Sequence, residues 1–234
     1  MPRASIDEQK RLAAAAAIEF VEPKMIIGLG SGSTSEFAIR LLAQKVRRGL
    51  KISCVPTSIA IQRLALRLRL PLMKDIYEFT KIDLTIDGAD EVDPQFNLIK
   101  GGGGALTREK IVASRSSRQI IIVDEKKLVD TLGKFPVPVE VLPFGWKSTM
   151  EILRGFGARV KLRTSIKTDK PFITDNGNYI LDCAFGAILD PADLEEKIKS
   201  IVGVVESGLF IGLADLVLVG RGDGTVAEKW NTCT

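Results

Sequence analysis

Three glycine-bearing stretches combine residue types that can hold an anion, bind hydroxyl groups or move a proton: Gly28-Leu-Gly-Ser-Gly-Ser-Thr34, Asp87-Gly-Ala-Asp-Glu-Val-Asp93 and Lys100-Gly-Gly-Gly-Gly-Ala-Leu-Thr-Arg-Glu-Lys110. The chain contains no histidine. That removes the Ser-His-Asp and Cys-His nucleophile systems, the commonest general base and most transition-metal sites. Acid–base chemistry therefore falls to Glu, Asp, Lys, Tyr or Cys. The cysteines Cys54, Cys183 and Cys233 lie far apart without metal-ligand or redox spacing, so neither a zinc ribbon nor a disulfide scaffold is expected.

The first stretch follows an apolar strand and opens a helix, where free backbone N–H groups and the helix dipole favour an anion such as phosphate. Ser33 stands where a dinucleotide fingerprint needs its third glycine, and no Lys precedes Ser33 or Thr34 as a P-loop requires. Ser31, Ser33 and Thr34 add hydroxyl donors suited to a small phosphorylated metabolite; the plainer alternative is a capped strand-to-helix turn. The second stretch sets four carboxylates within seven residues at a strand's carboxyl end, where ligands enter open α/β sheets. They could ligate a hard cation, accept from sugar hydroxyls, or be solvated turn residues, and the order is not that of an EF-hand. The third has four consecutive glycines, each destabilising a helix by roughly 1 kcal/mol relative to alanine, so close approach of backbone to a ligand is the simplest reason for them. Thr107 then begins a helix with Glu109 in its first turn, where a carboxylate suits the dipole; on residue type alone Glu109 is a dipole or ion-pair partner before it is a base.

The elements that must position these loops alternate. Residues 7–20 read as an Ala-rich helix, 25–29 as a strand, 36–46 as a helix, 52–55 as a strand, 58–68 as a helix, 82–86 as a strand, 107–114 as a helix and 119–123 as a strand buried on both faces. This order predicts a parallel sheet covered by helices. After about Gly133 the order becomes β-α-β-β-α: 137–141 extended, 147–154 helical, 158–163 extended, 172–181 extended around the Asn-Gly hairpin signal at 175–178, then a helix over 192–201 capped by Asp190-Pro191. That is the split βαβ, ferredoxin-like order. Segments 203–210 and 214–220 are apolar and extended. The fold expected is α/β, a Rossmann-like parallel-sheet domain over 1–132 and 205–234 with an inserted ferredoxin-like α+β domain over 133–204. The 234 residues fit one large domain or two small ones.

Composition narrows the partners. The net charge of +4 comes from 33 basic and 29 acidic residues mixed along the chain, with two Trp and two Tyr available to stack bases, so no nucleic-acid partner is expected. No uncharged stretch exceeds eleven residues, short of the roughly 20 of a spanning helix, so no membrane partner is expected either. The N-terminal residues lack a secretory pattern. The expected compartment is the cytoplasm, or a plastid if a transit peptide has been removed.

Taken in order, the segments Gly30–Thr34, Asp87–Glu91, Lys100–Lys110, Leu132-Gly-Lys-Phe-Pro136, Thr174-Asp-Asn-Gly-Asn178 and Gly203-Val-Val-Glu-Ser-Gly-Leu-Phe210 resemble the type A ribose-5-phosphate isomerases. The resemblance implies interconversion of D-ribose 5-phosphate and D-ribulose 5-phosphate in the pentose phosphate pathway, without metal or organic cofactor, by a homodimer or homotetramer. It implies Glu109 as general base. Substrate would be bound by Ser31, Gly32, Ser33 and Thr34, by Asp87, Gly88, Ala89 and Asp90, by Lys100 with the backbone donors of Gly101, Gly102 and Gly103, and by Lys127 of the Asp124–Leu128 segment. Ser31 replaces a frequent Thr and Gly104 a frequent Ala of the family. Two other readings remain at this point: a sugar-phosphate-binding effector module without catalysis, and an acyl- or CoA-transferase-like enzyme with a Glu nucleophile.

Overall fold

The computed structural model describes residues 3–165 and 168–232. In chain order the elements are α1 (Ile6–Ile18), β1 (Ile26–Leu29), α2 (Ser33–Arg47), β2 (Ser53–Pro56), α3 (Ile59–Arg67), β3 (Leu84–Asp87), β4 (Glu91–Val92), β5 (Leu98–Ile99), α4 (Leu106–Ser114) and β6 (Gln119–Asp124). A 3-10 turn, Glu125–Lys127, precedes β7 (Val137–Val141), α5 (Trp146–Gly155), β8 (Arg159–Leu162), β9 (Tyr179–Ala184), α6 (Pro191–Lys199), β10 (Val204–Ser207), β11 (Leu209–Phe210), β12 (Leu216–Gly220) and β13 (Val226–Trp230). Two compact units result: Met1–Ala89, Arg108–Leu128 and Leu213–Thr234 form the first, Asp90–Thr107 and Val129–Gly212 the second. Among the described residues no helix is long and apolar enough to cross a membrane.

The first unit holds a six-stranded sheet in the order β13-β12-β6-β3-β1-β2. Five strands are parallel and β13 runs antiparallel to β12. Successive residues of a strand point to opposite faces. Ile27 and Leu29 of β1 join a core with Ala13, Ala14 and Ala17 of α1, whose small side chains let the helix lie close. Gly28 faces the other way, where a Cβ would stand 2.0 Å from Thr85 Oγ1 and 2.8 Å from Val112 of α4, so only glycine lets α4 lie against β1. Ser5 caps α1 and Ser58 caps α3, each accepting from a first-turn N–H. β1 pairs β2 on one side and β3 on the other, so the strand order reverses at β1, and the carboxyl ends of β1 and β3 flank the crevice where open α/β sheets bind ligands.

The second unit contains a four-stranded antiparallel sheet, β10-β7-β9-β8, with α5 and α6, which is the expected β-α-β-β-α order with β10 as its final strand. Asp190 caps α6 by accepting from Asp193 N–H, with Pro191 at the first helical position, as expected. The Asn-Gly turn is a correction. It does not join two paired strands, because β9 pairs β7 and β8, and residues 172–174 before the turn form no ladder. Two more elements escape sequence reading. β4 and β5 are two residues each, too short to show a period, and β5 pairs with β4 on one side and β11 on the other in a three-stranded sheet. This sheet brings Asp90–Thr107 into the second unit, so the boundaries fall at 89/90, 107/108, 128/129 and 212/213 rather than at 132/133 and 204/205. β13 is an exposed edge strand with charged residues and no apolar run to announce it.

Candidate functional site

In the first unit, the loop after β1 is built around Asp87, which ends β3 and is fully buried. Its Oδ1 accepts from Ser31 N–H at 3.0 Å, from Gly88 N–H at 2.8 Å and from Ser35 Oγ at 3.3 Å. Gly30 must be glycine, since a Cβ there would meet Asp87 Oδ1 at 2.2 Å and its Cα at 2.5 Å. Ser31 Oγ is held by Thr57 Oγ1 at 2.8 Å and Ser58 Oγ at 2.9 Å. Gly32, at φ +99°, is the N-cap of the 15-residue helix α2 and offers no capping side chain. The first-turn N–H groups of α2 and the positive end of its dipole are thus available to an anion. Lys10 of α1 reaches the same place, with Nζ 3.2 Å from Ser33 Oγ and only 17% of its side chain exposed.

Glu109, the fourth residue of α4, is 5% exposed. Its carboxylate sits in the first turn of a helix, where the macrodipole favours negative charge. Lys127 lies half-buried in the 3-10 turn after β6, and its neighbour Lys126 is exposed. Asp124 holds that turn by accepting from Lys126 N–H at 3.1 Å.

The second unit carries the rest. Asp90 is half-buried and its Oδ2 accepts from Gly102 N–H at 2.8 Å. Gly101, at φ +98°, and Gly104, at φ +83°, close a turn through Gly104 N–H to Gly101 O at 2.9 Å. Arg163 donates to the carbonyls of Gly101 at 2.9 Å and Gly102 at 3.1 Å, and Asp182 grips the same guanidinium. Lys100 is 2% exposed; its N–H donates to Gly208 O at 2.8 Å, and its ammonium lies 5.4 Å from the centre of the Phe210 ring.

The four acids of the second stretch do not act as a cluster. Asp87 serves the first loop and Asp90 the glycine run, as above. Glu91 accepts from Gly133 N–H at 2.8 Å and Phe135 N–H at 2.5 Å, and Asp93 closes a turn on Gln95 and Asn97. Among the described residues, no three His, Cys, Asp or Glu are gathered as a metal ion requires.

Residues 53–224 match the family described as Ribose 5-phosphate isomerase A (phosphoriboisomerase A). The chain belongs to the ribose-5-phosphate isomerase A family. It is 49% identical to the ribose-5-phosphate isomerase A of Parvibaculum lavamentivorans, over 94% of this chain and 96% of that one. Among solved structures it is similar to a D-ribose-5-phosphate isomerase in complex with phospho-erythronic acid, with a TM-score of 0.93 and 46% identity over 97% of this chain and all of the other. The isomerase of Methanocaldococcus jannaschii superposes with a TM-score of 0.91 at 40% identity, over 97% of this chain and 100% of that one. Membership of the isomerase A family confirms the α/β fold inferred from element order.

Sequence reasoning for this isomerase A chain missed two things. Lys10 lies in the segment read only as an Ala-rich helix; its signal is no more than a lysine two turns before the end of α1, and the packing of α1 beside α2 brings it to Ser33. Arg163 was passed over at the end of an extended segment, where nothing in the sequence separates it from any surface arginine.

Proposed function

We propose that the protein is an aldose–ketose isomerase that interconverts D-ribose 5-phosphate and D-ribulose 5-phosphate, with Glu109 as the proton-transfer group. The observation that carries the assignment of the base is Glu109 itself: a buried carboxylate at a helix start, directly after a glycine run, in a chain without histidine. Moving the carbonyl from C1 to C2 removes a proton from C2 of the opened sugar and returns it at C1 through an enediolate. One carboxylate that reaches both carbons performs both transfers.

The remaining residues divide by charge. The phosphate is assigned to the first loop, Ser31 to Thr34, where the α2 N-terminus and the Lys10 ammonium supply donors and positive charge. Lys127 is assigned a further contact with substrate. The developing oxyanion is assigned to Lys100 and the glycine amides. Gly102 N–H is already engaged by Asp90, so Gly101 and Gly103 are the better backbone donors. Asp90, half-buried, suits the sugar hydroxyls better than Asp87, whose Oδ1 is used to shape the first loop. Gly88 and Ala89 carry the chain from one acid to the other. The reading needs no metal or organic cofactor. A homodimer or homotetramer in the cytoplasm goes with it, and the exposed apolar Phe144 and Val202 of the second unit support self-association.

The test is a direct isomerase assay with ribose 5-phosphate on the wild type and Glu109→Gln. We expect ribulose 5-phosphate from the wild type, and a variant that folds and binds but turns over about 10² to 10⁴ times more slowly. A wild type that binds ribose 5-phosphate without converting it would instead describe an effector module.

A further inference from the structure

We propose that Glu140 is a positioning residue for the catalytic carboxylate, acting through Thr107 on the first turn of α4; the proposal rests on the reading of Glu109 as base. Glu140 lies on β7, fully buried. No Lys or Arg pairs with it among the described residues; its partners are neutral. Oε2 accepts from Thr107 Oγ1 at 2.5 Å. Oε1 accepts from Thr174 Oγ1 at 2.8 Å, Asn178 Nδ2 at 2.8 Å and Asn176 Nδ2 at 3.1 Å. A buried carboxylate without a cation is costly unless donors surround it, and here four do. An amide in its place would turn N–H groups against groups that are themselves donors.

This gives the Asp175-Asn-Gly-Asn178 turn a task beyond reversing the chain. Gly177 takes φ +82°, and Thr174 closes the turn by donating N–H to Asn178 O and accepting Asn176 and Asn178 N–H on its hydroxyl. The result is a rigid donor set around one oxygen of Glu140, leaving the other for Thr107. Two residues of α-helix turn by roughly 200°. Pinning Thr107 on one side of α4 therefore sets the direction in which Glu109 leaves the other. The approach to the helix is fixed as well, since Gly104 sits so close to the Phe172 ring that a Cβ would meet it at 2.5 Å. A proton shuttled between two adjacent carbons requires a carboxylate aimed to within a fraction of an ångström, and this tether supplies a reason for that aim.

The test compares Thr107→Val, which keeps the branched shape but loses the hydroxyl, with Thr107→Ser, which restores it. We expect kcat for ribose 5-phosphate to fall about tenfold or more in Thr107→Val with KM within about threefold, and Thr107→Ser to recover kcat to within about twofold of wild type. Full kcat in Thr107→Val, or an equal loss in both variants, would overturn the proposal. Glu140→Gln should show the same kcat-selective loss; where it fails to fold, the Thr107 pair still decides. Glu109→Gln assayed alongside separates the two claims. Wild-type turnover there removes the base assignment, whereas an inactive Glu109→Gln beside a fully active Thr107→Val removes the positioning role alone.

Discussion

The loop after β1 and the glycine run before α4 are both tied down by charged side chains, but with opposite polarity. Asp87 draws the N–H groups of Ser31 and Gly88 inward, whereas Arg163 captures the carbonyls of Gly101 and Gly102. Holding a loop by its amides uses up donors, so the donors and positive charge left in the first unit are those of the α2 N-terminus, the loop hydroxyls and Lys10. Holding a loop by its carbonyls spares donors, and in the second unit Gly102 N–H goes to Asp90 while Gly104 N–H closes on Gly101 O. Each loop thereby offers positive character, reached by a different route.

The largest effect on this contrast is expected from Gly30→Ala, whose new Cβ would meet Asp87 backbone and carboxylate at once. It should lower stability by about 3 kcal/mol or more, read as a fall in urea midpoint at unchanged m-value, together with loss of turnover. Next comes Arg163→Met, which strips two carbonyls of their donor and leaves Asp182 without its partner. A cost of about 2–3 kcal/mol is expected, with a raised KM for ribose 5-phosphate. An Arg163→Met protein with wild-type KM would break the claim that carbonyl capture shapes the run.

Among the described residues each unit also buries one cysteine, and comparing them probes the two cores. Burial pushes the Cys54 thiol up to about 12. Burial first, then the Asp182 charge, raises that of Cys183. A raised folded-state value makes this contribution to stability complete below the ordinary value of 9.0 and lost as pH rises through about 12. With Cys233 replaced by Ser, both thiols should stay unlabelled by an aromatic disulfide reagent at pH 8 and label on unfolding in urea; labelling of just one of Cys54 and Cys183 in the folded chain would mark its unit as the one that opens. The smallest effect is expected from Gly103→Ala, which has open space around its Cβ and should change stability by less than about 0.5 kcal/mol.

Much of the fold was legible because its signals are local. The strand Gln119–Val123 is a continuous apolar run, and the structure places it in the middle of the parallel sheet. Asp190-Pro191 is a cap that needs only the next turn of chain. β4, β5 and β13 were not legible, since two-residue strands carry no period and an exposed edge strand carries no apolar face. The four acids at 87–93 looked like one cluster in sequence, yet each turns to a different partner, because consecutive loop residues diverge in direction in a way that spacing does not encode.

The sequence by itself determined the kind of chemistry. Without histidine, acid–base work is left to Glu, Asp, Lys, Tyr or Cys, and the alternating strand–helix order sets glycine-bearing loops at a sheet's carboxyl end. Tertiary structure decided which side chains serve those loops. Lys10 reaches Ser33 from 23 residues away, Arg163 reaches Gly101 from 62, and Glu140 reaches Thr107 from 33. Hydrogen bonds of that span depend on which strands and helices become neighbours, a choice made by burial of the whole apolar pattern and not by any residue's own surroundings in the chain.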